Sequence, residues 1–264
     1  NESFPYFGDL RCSPTDNVFV CATASHRSER KSTWSASGGS DGGIRGGVIG
    51  AVHDTPPQLR VSSPSGVAAP ESPQPRGQLT VWSLKLFKPL HELPLGPNAA
   101  VPHAVAFNHN GKMLATAGSD GAIRLYDLNA RKTIMRWPAH PGHAVTSLAF
   151  SVDQNSVFSV GTDGIVAEWS LHKLRSMLHR IDVSRPCGLS PAGEGGSAAA
   201  AAEKVGGTPM LRMALDPNGH GFVLSSHTSN AAFVCLKPGG RGSAIHAITG
   251  HAGAVTCVDW HPTK

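Results

Sequence analysis

The chain has 264 residues and a formal charge of +5, and its 30 glycines and 20 prolines make about a fifth of it turn-forming punctuation, which favours many short strands over long helices. Its 23 Lys and Arg residues are scattered without a run of five like charges, so the focused basic footprint of a nucleic-acid binder is missing. No apolar stretch is long enough for a membrane helix, the N-terminus lacks the basic-then-apolar pattern of a leader, and five cysteines without a CxxC pair read as reduced core residues of a cytosolic protein.

Along the chain, apolar residues at offsets of three and five open one segment after another. Phe7, Leu10 and Cys12 form the first set, followed by the turn pair Ser13-Pro14. Residues 26–77 are rich in Ser, Gly and Pro, as in Ser37-Gly38-Gly39-Ser40 and Pro56-Pro57; such a stretch buries too little to offset the entropy of ordering and is expected to be a disordered insert. A strand ending in Trp82-Ser83 follows. Pro102, Val105 and Phe107 open the second segment. There, two runs of strand-forming residues, 113–117 and 122–128, flank Asp120-Gly121, a dipeptide suited to the positive φ of a hairpin turn.

Val145, Leu148 and Phe150 open the third segment, 43 residues on from the second. Ser159, Asp163-Gly164 and Trp169-Ser170 lie at the same steps from Phe150 as Thr116, Asp120-Gly121 and Tyr126-Asp127 do from Phe107. Residues 184–208, with Ser190-Pro191-Ala192-Gly193 and five alanines at 198–202, are expected to be a second disordered insert. Met210, Met213 and Leu215 open the fourth segment, where Ser225, Ser229 and Cys235 take the serine, aspartate and tryptophan positions. Gly250-His251, then Val255, Val258 and Trp260, open a fifth. Two intervals match a repeat of about 40 to 45 residues, and the inserts account for the longer ones.

A Gly-His pair before the first strand, an Asp-Gly turn and a Trp-Asp-like dipeptide closing the third strand resemble the WD-repeat family. The resemblance implies an all-β propeller, here about four blades and one strand of a seven-bladed ring. It also implies a structural tetrad of His143, Ser159, Asp163 and Trp169, with a partial tetrad of Thr116, Asp120 and Tyr126. Ala99-Ala100 stand where the second repeat's Gly-His would fall. The open sheet edges of such a part-ring are expected to make it prone to association.

The runs Ala106-Phe107-Asn108-His109-Asn110-Gly111, Asp120-Gly121-Ala122-Ile123-Arg124-Leu125-Tyr126-Asp127 and Val255-Thr256-Cys257-Val258-Asp259-Trp260, with the position of the first insert, are similar to an endosomal branch of the family. That similarity implies a non-catalytic scaffold in the cytosol, peripheral to early and late endosomes and attached to membranes through partners. Those partners would be a phosphatidylinositol 3-kinase complex, whose activity it restrains during early-to-late endosome conversion, and a late-endosomal Rab GTPase. A generic WD-repeat adaptor, such as a ubiquitin-ligase substrate receptor or a nuclear complex subunit, is the alternative reading.

Catalytic, metal and cofactor sites are not expected. His143, Ser159 and Asp163 have the residue types of a hydrolase triad, but a nucleophile elbow needs glycine at 157 as well as at Gly161, and the chain has Val157. His140 and His143 have no third ligand at tight spacing, and His91-Glu92 lacks the second histidine of a zinc-protease helix. Gly111-Lys112 has Ala106 and Met113 where a phosphate-binding loop needs Gly and Ser or Thr.

Overall fold

A computed structural model describes residues 6–25, 76–96, 100–173, 176–184, 211–226, 230–236 and 245–261. Every regular element among them is a strand, and the strands form four antiparallel four-stranded sheets, each an up-and-down meander. The first blade holds β1 (Tyr6–Cys12), β2 (Val18–Ser25), β3 (Arg76–Ser83) and β4 (Lys88–Glu92), and the second β5 (Pro102–Phe107), β6 (Met113–Gly118), β7 (Ala122–Asp127) and β8 (Lys132–Pro138). The third holds β9 (Val145–Phe150), β10 (Ser156–Gly161), β11 (Ile165–Ser170) and β12 (Met177–Asp182). The fourth holds β13 (Leu211–Leu215), β14 (Gly221–Ser226), β15 (Ala232–Leu236) and β16 (Ile245–Ile248).

Side-chain polarity follows position in the blade. The middle strands β6, β7, β10 and β11 are buried on both faces because a neighbouring blade covers each face, so they read as near-continuous apolar or small-residue runs. The fourth strands are largely exposed and carry the charges. Three apolar clusters hold successive blades together: Leu79 with Val105 and Leu114, Trp137 with Leu148 and Trp169, and Val166 with Met213 and Leu224. In each, the middle anchor residue of a blade's first strand packs back onto the blade before it. Leu10, at that position in the first blade, is 53% exposed, because no described element lies on that side.

The two expected inserts, 26–77 and 184–208, lie outside the described residues except at their edges, as do Met210 and Ser229. At one edge the reading needs correction. The ladder between β2 and β3 continues through Ala24–Gly77 and Ser25–Arg76, so the strand starts two residues inside the stretch assigned to the first insert. A second difference concerns the fifth repeat. Residues 251–261 form no ladder; Val255 instead packs with Val223 and Ala232, and the Trp260 indole N–H donates to the Ala214 carbonyl at 3.0 Å. The apolar pattern that suggested a strand is spent on covering the outer face of the fourth blade, with no further described strand to pair with.

Candidate functional site

The third blade holds a buried polar network, and its histidine is His140, not His143. His140 Nδ1 lies 3.0 Å from Asp163 Oδ2, its Nε2 lies 2.9 Å from Ser159 Oγ, and the Trp169 indole N–H donates to the same Oγ at 2.9 Å. A carboxylate only accepts, so Nδ1 carries the proton toward Asp163, and Nε2 is left to accept the Ser159 hydroxyl. Each partner is then satisfied. Burial alone would raise the Asp163 carboxyl, but its hydrogen bonds with the His140 ring and the Ile165 N–H hold it below its ordinary range. The Gly-His cue failed because of the loop between blades. Ala139 and His140 both donate their N–H groups to the Gly121 carbonyl of the preceding blade at 2.9 Å, which hooks His140 over β10. The chain then turns, with His143 N–H donating to the His140 carbonyl, and leaves His143 partly exposed in the bend just before β9.

Two glycines make this possible. Gly121 sits at φ 67°, and a Cβ there would meet the carbonyl oxygens of His140 and His143. A Cβ at Gly161 would meet Asp163 Oδ1 and the His140 ring. The connectivity of the network is that of a hydrolase triad, but its setting is not. Ser159 is 0% exposed and His140 1%, and the Trp169 N–H occupies the hydroxyl oxygen that would attack. With both His140 ring nitrogens engaged, the ring has no lone pair to offer a metal. Among the described residues no group of three or more His, Cys, Asp or Glu could hold one.

Thr116, Asp120 and Tyr126 occupy the matching positions of the second blade but are not linked to one another. The Thr116 hydroxyl donates to the Ala104 carbonyl at 3.0 Å, and the Tyr126 hydroxyl to the Pro94 carbonyl at 2.8 Å. Asp120 takes both guanidinium nitrogens of Arg124, at 3.2 and 2.6 Å, and one of Arg136, at 3.1 Å. With no histidine at hand, two arginines take its place. Burial pushes the Tyr126 phenol up to about 12.

In the fourth blade the serine position belongs to Leu224, which pairs with Met213 as Ser159 pairs with Leu148. Ser225, the residue read there from the sequence, lies one step along, and a one-residue slip in a strand reverses the face. Its hydroxyl is fully buried without a hydrogen-bond partner. Ser225→Ala is therefore expected to be neutral or stabilising by up to about 1 kcal/mol, whereas Ser159→Ala should cost about 1 to 2 kcal/mol. Urea unfolding midpoints of the two variants check this, and a clear loss of stability in Ser225→Ala would count against the unpaired hydroxyl.

The blade meander meets its counterpart in sequence comparisons. The family model described as WD domain, G-beta repeat matches residues 242–264, and that of the anaphase-promoting complex subunit 4 WD40 domain matches residues 80–153. WD repeat-containing protein 91 of Danio rerio is 30% identical over 257 residues, covering 97% of this chain and 30% of the relative. That of Pongo abelii is 30% identical over 264 residues, covering 98% and 32%. The homolog of that protein in Dictyostelium discoideum is 28% identical over 188 residues, covering 71% and 22%. The chain belongs to the WD-repeat family. It spans about a third or less of the length of these relatives.

Three further features of this WD-repeat chain had no clear signal in the sequence. Reciprocal bonds close the loops at the starts of the second and third blades: Val101 N–H to Ser119 Oγ with Ser119 N–H to the Val101 carbonyl, and the same exchange between Ala144 and Thr162. Arg212, on the first strand of the fourth blade, points its guanidinium at the carbonyls of Gly8, His103 and Thr146, 3.3 to 3.4 Å away, and so joins the first strands of all four blades. Between the third and fourth blades lies a cleft of about 470 Å³. Phe158, Ile181, Leu215 and Phe222 give it apolar walls, and the mostly buried carboxylates of Glu168 and Asp216 border it. Glu168 is held by the Ser156 hydroxyl and by His179 Nδ1. Such a cleft suits a side chain that is apolar along its length and cationic at its end.

Proposed function

We propose that this chain is a non-catalytic protein-interaction scaffold that regulates a phosphatidylinositol 3-kinase complex during early-to-late endosome conversion. It acts at the cytosolic face of endosomes with a late-endosomal Rab GTPase as partner. The observation that carries the reading is similarity to WD repeat-containing protein 91 across 97 to 98% of the chain, together with the endosomal role that the sequence motifs imply. WD-repeat domains generally present binding surfaces on a rigid scaffold, and function resides in those surfaces, not in the fold. The burial of Ser159 and His140 supports the non-catalytic part of the proposal.

The deciding experiment is binding of the protein that carries this chain to the Rab GTPase loaded with GTP or GDP. Preference for the GTP form is expected. A well-folded protein that binds neither form would shift the reading to a WD-repeat adaptor of another complex, for which the match of residues 80–153 to an anaphase-promoting complex subunit model is the favouring observation. Co-purifying proteins would then identify that complex.

A further inference from the structure

The hairpin of β3 and β4 exposes Leu84, Leu86 and Phe87 in its turn and Leu90 on β4, with Phe87 81% and Leu86 64% exposed. Lys85 and Lys88 alternate with them. The fold does not require apolar residues at Leu86 and Phe87. The second blade makes the same turn from Asn129, Ala130 and Arg131: Arg131 has φ 53° where Phe87 has φ 51°, and the Asp127 carboxylate accepts the Ala130 N–H as Ser83 Oγ accepts the Leu86 N–H. A left-handed backbone disfavours a bulky side chain, so placing phenylalanine there breaks a local rule with no compensating burial. Such exceptions are expected at functional sites.

The turn is also braced. Phe87 N–H donates to the Ser83 carbonyl at 2.9 Å and Leu84 N–H to the Asn17 carbonyl at 2.8 Å, so the apolar tip is held outward in a fixed shape. In an antiparallel meander the turns joining first to second and third to fourth strands emerge at the same end. This end of the first two blades therefore gathers exposed Lys85, Lys88, Lys112, Arg131 and Lys132. Asp16 and Asp127 share these turns and keep their negative charges, so the cations at this end outnumber the anions.

We infer that this hairpin docks on an anionic membrane surface, with Leu86 and Phe87 entering the interfacial layer and the surrounding lysines and arginines meeting acidic headgroups. A protruding apolar tip ringed by cations fits a fluid interface, which deforms around it, better than a protein partner, which needs a matching hollow. The inference adds a direct lipid contact to the partner-mediated attachment proposed above and does not depend on it.

Vesicle flotation tests it, using the chain with phosphatidylcholine vesicles and with vesicles containing phosphatidylserine. Binding to the anionic vesicles should exceed that to neutral ones and weaken with salt. It should fall at least about tenfold in Leu86→Asp/Phe87→Asp and in Lys85→Glu/Lys88→Glu, whose exposed positions leave the melting temperature unchanged. A folded chain that ignores anionic vesicles overturns the inference. So does binding that survives the Leu86→Asp/Phe87→Asp change, or a hairpin that captures a protein while vesicles go unbound.

Discussion

Replacing Asp120 with alanine is expected to destabilise the chain by about 3 kcal/mol, measured as the shift in urea unfolding free energy at neutral pH. The variant leaves the Arg124 guanidinium, whose side chain is only 6% exposed, without its carboxylate. Stripping one partner from a buried ion pair costs about 3 to 5 kcal/mol, and the 24% exposure of the Asp120 side chain puts this pair at the lower end. Arg136, on the exposed side of the same carboxylate, should contribute far less, and Arg136→Ala is expected to fall within about 0.5 kcal/mol of the parent. Replacing Arg124 by leucine together with Asp120→Ala should recover much of the loss, because the cost lies in the orphaned charge.

The same site sets an acid dependence. Burial raises the Asp120 carboxyl, but the hydrogen bonds and charge of Arg124, with Arg136 and the Ala122 N–H, outweigh it, and the net shift is below the ordinary 3.8. A carboxyl depressed in the folded state stabilises fully above its unfolded value and loses that contribution as pH falls through the folded one. The gap between parent and Asp120→Ala should therefore hold from neutral pH to about 4 and close below it. A gap that persists undiminished to pH 2 would show that the loss comes from packing.

His140→Ala is expected to cost about 2 to 4 kcal/mol, and His143→Ala less than about 0.5 kcal/mol. The first removes a buried ring, deprives Asp163 of its hydrogen-bond donor and leaves the Ser159 hydroxyl without an acceptor. The second removes a partly exposed side chain that makes no direct bond to the network. Thermal or urea unfolding of the two variants separates the assignments, and a larger loss in His143→Ala would return the network to the Gly-His reading. Neither variant should change hydrolysis of a generic ester, because Ser159 is closed to solvent. Asp163 is depressed in the same sense as Asp120, so the His140 contribution should also be lost on acidification below the ordinary carboxylate range.

The repeat architecture was legible because it rests on local chemistry. Asp120-Gly121 and Asp163-Gly164 both make the expected turns, with the glycines at φ 67° and 72°, and the flanking runs become β6, β7, β10 and β11. Short apolar runs and the turn residues that bound them are properties of neighbouring positions, and sequence spacing reports them directly. The resemblance to the WD-repeat pattern also placed Ser159, Asp163 and Trp169 at one site, and all three lie on one blade whose register the hairpin determines. The histidine lies beyond that register, on a loop tied to the Gly121 carbonyl of the blade before.

The chain's residues by themselves thus determined four up-and-down sheets, their turns and their buried middle strands, because those follow from backbone preference and from which side chains leave water. Tertiary structure decided which histidine enters the network, that Asp120 pairs with two arginines, that Leu224 displaces Ser225 by one step, and that Arg212 joins the first strands of four blades. It also decided which apolar residues remain outside: nothing in Leu84-Lys85-Leu86-Phe87 distinguishes a buried edge from an exposed tip. Each of these depends on packing between blades or on the exact pairing of strands, where a shift of one residue exchanges core for surface.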